Sequence, residues 1–494
     1  MHVLLVNPNR IQPPVAPLAL DSLGQALAAR GISCSVADLC LDLPPGIHPA
    51  ATYWERFAQP RPSAVLVTLR NLDDAYYASQ ETFLPGYRDL VRNLRACFGA
   101  PVILGGCAFS LAPEDILAFC EADLGVAGAS EQDLLALLDS LDRPPDRWEG
   151  LAGVVWRQGD KIRSQPPSAP AMNEDFFSER RFVRNRAYFD QGGMAGLETK
   201  RGCAAGCVYC ADPVAKGSRI FLKPVEFLLA EIRCLLSMGV SVFHLCDSEF
   251  NLPVSHAFGV CEAILAEGLA DRIRWYTYAT PETFDESLAF RMAEAGCAGI
   301  NFGVDHCLDE RLAALGRRHR AADLERTCRA ARAAGLPFLF DLLLGGPGET
   351  LDSLFDAVEF CRDLDVERVG VNVGIRIYPG TPLARQVLSE GPLESNPCLR
   401  GILRGKADLL LPVFYLSPEL GPVWEEELGR RVGQDPRFFL PGRCRSDSNY
   451  NYNANEVLVR ALQNGHKGAF WDILRRIQKG MPPLAPPMGL TQRP

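Results

Sequence analysis

The chain has 494 residues, 47% of them apolar and 22% charged, which allows two to four domains with buried cores. A formal net charge of −9 argues against a nucleic-acid-coating surface or an anionic membrane face, and no apolar run approaches the roughly 18–20 residues needed to cross a bilayer. Met1 to Pro8 has no basic region ahead of a long apolar segment, so it is expected to open a cytoplasmic protein as a buried strand. The 17 cysteines are spread along the chain and are expected to be reduced. For Cys34, Cys97, Cys234, Cys261, Cys328 and Cys361 the expectation is a small buried hydrophobe.

From residue 1 to about 145, apolar strands at Val3–Val6, Ser33–Ala37, Ala64–Leu69, Val102–Leu104 and Leu124–Val126 alternate with helical periodicity, as in Leu18–Ala29, Tyr87–Ala96 and Glu131–Leu138. Continuous apolar strands separated by helices predict a doubly wound, Rossmann-like parallel sheet, which binds ligands beyond the carboxyl ends of its strands. Residues 146–193 read as a linker with a hairpin over Gly153–Ser164, a stiff Gln165–Pro170 and an irregular stretch through Val183–Arg186. From 194 to 384 the alternation returns, with strands at Leu197–Lys200, Val242–Asp247, Arg274–Ala279, Gly299–Val304, Phe338–Leu344 and Val369–Ile377. Helices are expected between them near 224–238, 254–268, 283–295, 321–334 and 350–364. Six βα units in series predict a partial (β/α)6 barrel with functional groups at the C-terminal strand ends. Residues 385–494 are expected to form a mostly helical capping region, with helices at Asn455–Gln463 and Ala469–Ile477 and a mobile end at Pro482–Pro494. The run Asp447–Asn453 is either a substrate contact or a plain polar loop.

The chemistry concentrates in Cys203, Cys207 and Cys210, spaced C-x3-C-x2-C just after the first strand of the second region. Iron–sulfur clusters normally take four cysteines, so three on one loop leave one iron open, and that iron could chelate S-adenosylmethionine (SAM). Structural zinc is the competing reading, but zinc sites usually pair C-x2-C units, and no second unit or nearby histidine follows.

The spacing, with Tyr209 before the last cysteine, resembles the radical SAM superfamily, and the resemblance spans roughly residues 195–385. It implies a [4Fe–4S] cluster on the three cysteines and Tyr209 beside the SAM adenine. The segment His244–Asn251 ends the second strand and implies Asp247 and Glu249 at the SAM amino end, where a carboxylate pairs with ammonium. The fourth strand end implies Gly303 and Asp305 at the ribose. The glycine turn Leu344–Thr350 brings Gly345 and Gly346 to the adenine, and Arg376 marks the sixth strand end.

A doubly wound domain ahead of such a barrel resembles the cobalamin-binding radical SAM enzymes. The segments Val65–Asp73, Val102–Ser110 and Leu124–Glu131 fit that pattern. The resemblance implies cobalamin over the strand ends near Pro8, with Arg70 or Asn71 at its lower face. Gly105, Gly106, Ser110, Gly128 and Glu131 would lie along its nucleotide tail. The Asp-x-His-x-x-Gly motif that supplies a histidine to cobalt is absent, because His2 and His48 lack that context. The leading expectation is a cobalamin-dependent radical SAM methyltransferase that cleaves SAM reductively and methylates an unactivated carbon of a small molecule or peptide. A reducing partner such as flavodoxin or ferredoxin is implied, with no nucleic acid and no membrane. Radical cyclisation, rearrangement or oxidation is one alternative, and an iron–sulfur electron carrier or sensor is another.

Overall fold

The computed structural model describes residues 1–44, 46–170, 179–402, 409–440, 452 and 455–484. The run Asp447–Asn453, apart from Tyr452, and residues 485–494 of the Pro-rich end lie outside the described residues.

Val3, Leu4, Leu5 and Val6 have no exposed surface, which requires cover on both faces of their strand. That strand, β1 (His2–Asn7), lies between β2 (Ser33–Asp38) and β3 (Ala64–Thr68), followed outward by β4 (Val102–Gly105) and β5 (Leu124–Val126), all parallel. The chain turns one way from β1 to β2 and the other way to β3, so the switch point falls where Pro8 and Arg70 leave the sheet. The hairpin expected in the linker is β6 (Val154–Gln158) and β7 (Lys161–Ser164), and it belongs to this sheet. Its antiparallel pairing with β5 covers an edge that would otherwise present unpaired backbone groups.

The second sheet starts at β8 (Ala195–Leu197), and a short ribbon of β9 (Lys200–Arg201) and β10 (Phe221–Leu222) flanks the cysteine loop. The strands β11 (Val242–Leu245), β12 (Arg274–Ala279), β13 (Cys297–Asp305), β14 (Phe338–Leu344) and β15 (Val369–Val373) follow in sequence order, all parallel. Helices Val225–Ser237, Val254–Ala266, Glu286–Glu294, Ala321–Ala333 and Leu351–Asp363 separate them, as the periodicity predicts. The order is linear from β8 to β15, which makes this an opened barrel.

The last region is helical but not only helical. A small antiparallel sheet joins β16 (Ile375–Arg376) to β17 (Leu399–Gly401) and β18 (Val413–Tyr415), and β19 (Phe438–Phe439) extends the barrel past β15. Helix Phe470–Gln478 lies against the concave face. Tyr276 donates to Asp472 at 2.8 Å, and the Trp471 ring sits 3.0 Å from where a Cβ on Gly299 would stand.

Cys261, Cys328 and Cys361 are buried as expected, but Cys97 is exposed and Cys34 and Cys234 are half-buried. Among the described residues no helix is long and apolar enough to cross a membrane.

Candidate active site

The cysteine loop is fixed by its backbone before any cofactor is considered. Gly202 takes φ +87°, and a Cβ there would lie 1.9 Å from the Arg219 carbonyl, so only glycine fits against that bend. The Cys203 amide donates to the Gly217 carbonyl at 3.1 Å, and the Val208 amide donates to Leu315 at 3.0 Å. Cys203 and Cys207 are buried, Cys210 is half-buried, and Ala204 and Gly206 between them are exposed. Burial pushes all three thiols upward, and the neighbouring cysteine charges add to this for Cys203 and Cys210. For Cys207, burial is opposed by Arg317, which donates to its Sγ at 3.2 Å. Thiols that resist ionisation in the bare protein need a metal to hold them as thiolates. Among the described residues no three such donors converge on one ion. A cluster bound by one thiolate per iron asks for no common point, so the donor set fits it.

Around the loop stand the strand-end carboxylates, and they divide into two kinds. Asp247 supports the scaffold: it accepts from the Thr199 amide at 2.8 Å, from the Thr199 hydroxyl and from the Lys200 amide at 3.3 Å. Both its oxygens are therefore occupied. Glu249 differs. It is 8% exposed, its Oε1 lies 3.6 Å from Arg317, and its Oε2 is buried with no hydrogen-bond partner. Burial, opposed by Arg317, pushes its carboxyl up to about 7.

Asp305 adopts φ +64° where the register of β13 against β14 shifts, accepts from Tyr209 at 2.5 Å and meets Arg317 at 3.3 Å. Arg317 also donates to the Gly303 carbonyl, so one guanidinium ties the cysteine loop to two carboxylates and a strand end. The sequence reading missed Arg317. It sits in an arginine-rich run, Arg317-Arg318-His319-Arg320, with no motif of its own, and only the fold brings it to Cys207. Gly345 and Gly346 are buried under Leu416, Gly374, Ile375 and Leu315, which leaves them packed against side chains and backbone.

Two residues expected at cofactors are engaged elsewhere. Arg376 donates to Asp73 of the first sheet domain at 2.8 Å and to the carbonyls of Ile377, Leu409 and Leu410. Glu131 accepts from Arg201 at 2.9 and 2.8 Å, and the same arginine reaches the Ala129 carbonyl and Glu198. Both are ties between the two sheets, because polar residues at strand ends serve a seam as readily as a ligand.

On the sheet side, Gly106 has φ +97° and would bring a Cβ within 2.5 Å of the Leu69 carbonyl, and Ser110 links Gly106 to the Gly128 amide. The space above Gly128 holds Pro167 from the connector. Pro8 is buried, Gly105 accepts from Leu69, and the Asn71 carbonyl accepts from Tyr87. Arg70 is exposed, and among the described residues it makes no hydrogen bond. It faces the barrel mouth: burial and the Arg70 charge push His244 down to about 4. Cys246 and Tyr278, the last 43% exposed, lie within reach of the same Arg70 charge. An aromatic left open between strand ends and barrel mouth fits a broad group lying across it.

A buried three-cysteine loop with a bare carboxylate, on an opened parallel barrel behind a doubly wound sheet, defines the class. The model of the radical SAM superfamily matches residues 197–361. A curated tryptophan 2-C-methyltransferase of Streptomyces laurentii is 28% identical over 95% of both chains. The radical SAM methyltransferase TsrM of Kitasatospora setae, solved with tryptophan and a SAM analogue, superposes with a TM-score of 0.88 at 28% identity over 97% of this chain and 98% of that one. The same enzyme with cobalamin and a [4Fe–4S] cluster superposes at 0.87. Residues 197–361 are thus a radical SAM domain, and over nearly its whole length the chain is similar to a radical SAM methyltransferase that binds cobalamin.

Proposed function

We propose that this protein is a cobalamin-dependent radical SAM C-methyltransferase whose substrate is tryptophan or a close indole amino acid, methylated at ring carbon 2. The observation that carries the reading is the Cys203–Cys207–Cys210 loop on an opened barrel that follows a doubly wound sheet, in a chain 28% identical to TsrM over nearly its whole length. When bound, the cluster supplies electrons to SAM and cobalamin carries the methyl group to carbon.

The protein's own residues do the rest. Cys203, Cys207 and Cys210 hold the cluster, and the Arg317 N–H on Cys207 stabilises thiolate charge. Glu249 offers its bare oxygen to a positive partner at the open corner of the cluster, the SAM ammonium among them. Tyr209 and Asp305 form the adjoining wall toward the SAM ribose and adenine, with Arg317 holding Asp305 in its left-handed turn. Arg70, exposed at the end of the first sheet, would lie at the lower face of cobalamin, and the Gly105–Gly106 turn would lie along its tail. Because Ala204 and Gly206 are exposed, a reducing protein such as flavodoxin or ferredoxin can approach the cluster from that side, which fits a reducing cytoplasm.

The test is anaerobic. Protein reconstituted with iron, sulfide and cobalamin is incubated with SAM, reductant and tryptophan, and the products are separated against a 2-methyltryptophan standard. The standard's retention time and mass are expected. A loaded enzyme that leaves tryptophan unchanged sinks the substrate reading, and a wild-type protein that retains no cobalamin sinks the methyltransferase reading.

A further inference from the structure

The concave face of the barrel carries a polar or aromatic side chain on each strand from β11 to β15. Strand side chains alternate, so His244, Tyr278, Asn301, Gly303, Asp341 and Asn372 share that face. Tyr278 pairs in register with Asn301, Gly303 with Asp341, and Leu343 with Asn372. Asn301 and Asn372 each hold their Oδ1 away from solvent with no donor, and among the described residues neither amide makes a hydrogen bond. A buried acceptor left without a donor costs about 1–3 kcal/mol, and native folds carry few of them without a reason. Here two lie on one face of the sheet, beside a Tyr278 hydroxyl that is also unbonded among the described residues.

The walls define what enters. Trp471, 3% exposed, closes the floor against Gly299, so a continuous peptide cannot thread through. Tyr76, from the loop after β3, forms the opposite wall; burial, then Asp341 and Tyr278, push its hydroxyl upward. Gly303 faces the cysteine-loop side, where a Cβ would stand 3.3 Å from Arg317 and 3.8 Å from Glu249. Asn301 and Asn372 lie two strands and four register steps apart. At ~4.8 Å per strand and ~3.3 Å per residue their Cα atoms are roughly 16 Å apart, too far to share one ligand group. The His244 and Tyr278 rings, 5.0 Å apart and edge-on, mark the Asn301 end as the aromatic one.

We infer that Asn301, Tyr278 and Asn372 orient the substrate: Asn301 Oδ1 accepts the ring N–H of a heteroaromatic amino acid, Tyr278 packs against the ring, and Asn372 bonds the amino-acid end. The acceptor is then a free amino acid and not a residue within a peptide. This rests on the tryptophan reading above and assigns positioning residues for it.

Two measurements separate this role from a structural one. Isothermal titration of anaerobic, cofactor-loaded protein with tryptophan should give Kd values about tenfold weaker for Asn301→Leu and for Asn372→Leu than for wild type. The benzothiophene analogue of tryptophan, which lacks the ring N–H, should bind wild type and Asn301→Leu alike. Melting temperatures of both variants should stay level or rise, because an unbonded buried amide is removed. Asn301→Ser, which keeps a small acceptor, guards against loss by misfolding and should bind tryptophan better than Asn301→Leu. Unchanged tryptophan affinity in both variants, or equal losses for tryptophan and its analogue in Asn301→Leu, overturns the inference and leaves the substrate reading standing. A wild-type protein that does not bind tryptophan overturns both.

Discussion

The cysteine loop and the seam between the two sheets are built from the same materials, buried arginines and carboxylates, and they use them in opposite ways. In the seam the charges are closed on one another. Arg376 meets Asp73 and four backbone carbonyls, and Arg201 meets Glu131, Glu198 and a carbonyl. Around the loop, and on the concave face behind it, groups are left over: Glu249 Oε2, Asn301 Oδ1 and Asn372 Oδ1 are buried and unbonded. Closed charge fixes the geometry of the two domains, and open polar groups mark where ligands complete the structure. The contrast is chemical and not a matter of depth, since Arg376 and Glu249 are 5% and 8% exposed.

Substitutions can break this contrast in order of their expected size. Replacing Cys203, Cys207 or Cys210 by Ala should remove iron, measured by metal analysis and the cluster's visible absorption, and take activity below detection. Full iron content in all three variants would break the assignment. Arg376→Ala leaves Asp73 as a buried, unpaired charge and should cost about 3–5 kcal/mol in stability, followed by urea unfolding at two wavelengths. A midpoint within error of wild type would mean that the seam does not depend on this pair. Glu249→Gln should do the reverse: activity falls roughly 10–100-fold while the urea midpoint holds, because its oxygen serves a ligand and not the fold. Equal stability losses for Arg376→Ala and Glu249→Gln would erase the distinction.

The smallest effect is a pH slope. His256 bonds the Thr199 hydroxyl at 3.0 Å, behind Asp247, and burial lowers it from 6.5 to about 4. A base whose folded value is depressed keeps its full stability above the unfolded value and loses it as pH falls toward the folded one. Wild type should therefore weaken between pH 6.5 and 4, by about 2 kcal/mol from this group at pH 5. His256→Gln should remove that share of the slope, read from urea midpoints at pH 5 and 7. A slope unchanged in the variant would show that the charge arises elsewhere.

Much of the fold was legible because parallel strands buried on both faces must be nearly continuous apolar runs, and runs such as Val3–Val6 and Phe338–Leu344 have few other uses. The cysteine loop was legible because its three cysteines are local in sequence. The rest of the site depends on register between strands distant in the chain. Asn301 and Asn372 come onto one face only when β13, β14 and β15 stand side by side, and Arg317 meets Cys207 only when the cysteine loop packs beside the end of β13. The seam misled for a related reason: Glu131 and Arg376 sit at strand ends, and no local pattern says whether a strand-end charge faces a cofactor or the neighbouring domain. The hairpin's place beside β5 was likewise hidden, since nothing in Gly153–Ser164 names the strand it pairs with.

The most direct test of the central claim uses two labels at once. Loaded enzyme is given SAM with a deuterated methyl group and tryptophan deuterated at carbon 2, and the product is read by mass spectrometry and NMR. Methyl transfer to that carbon predicts a product that has gained the labelled methyl and lost the ring deuterium, in wild type and not in the Cys207→Ala variant. A product methylated on nitrogen, or labelled product formed equally well without Cys207, would contradict it.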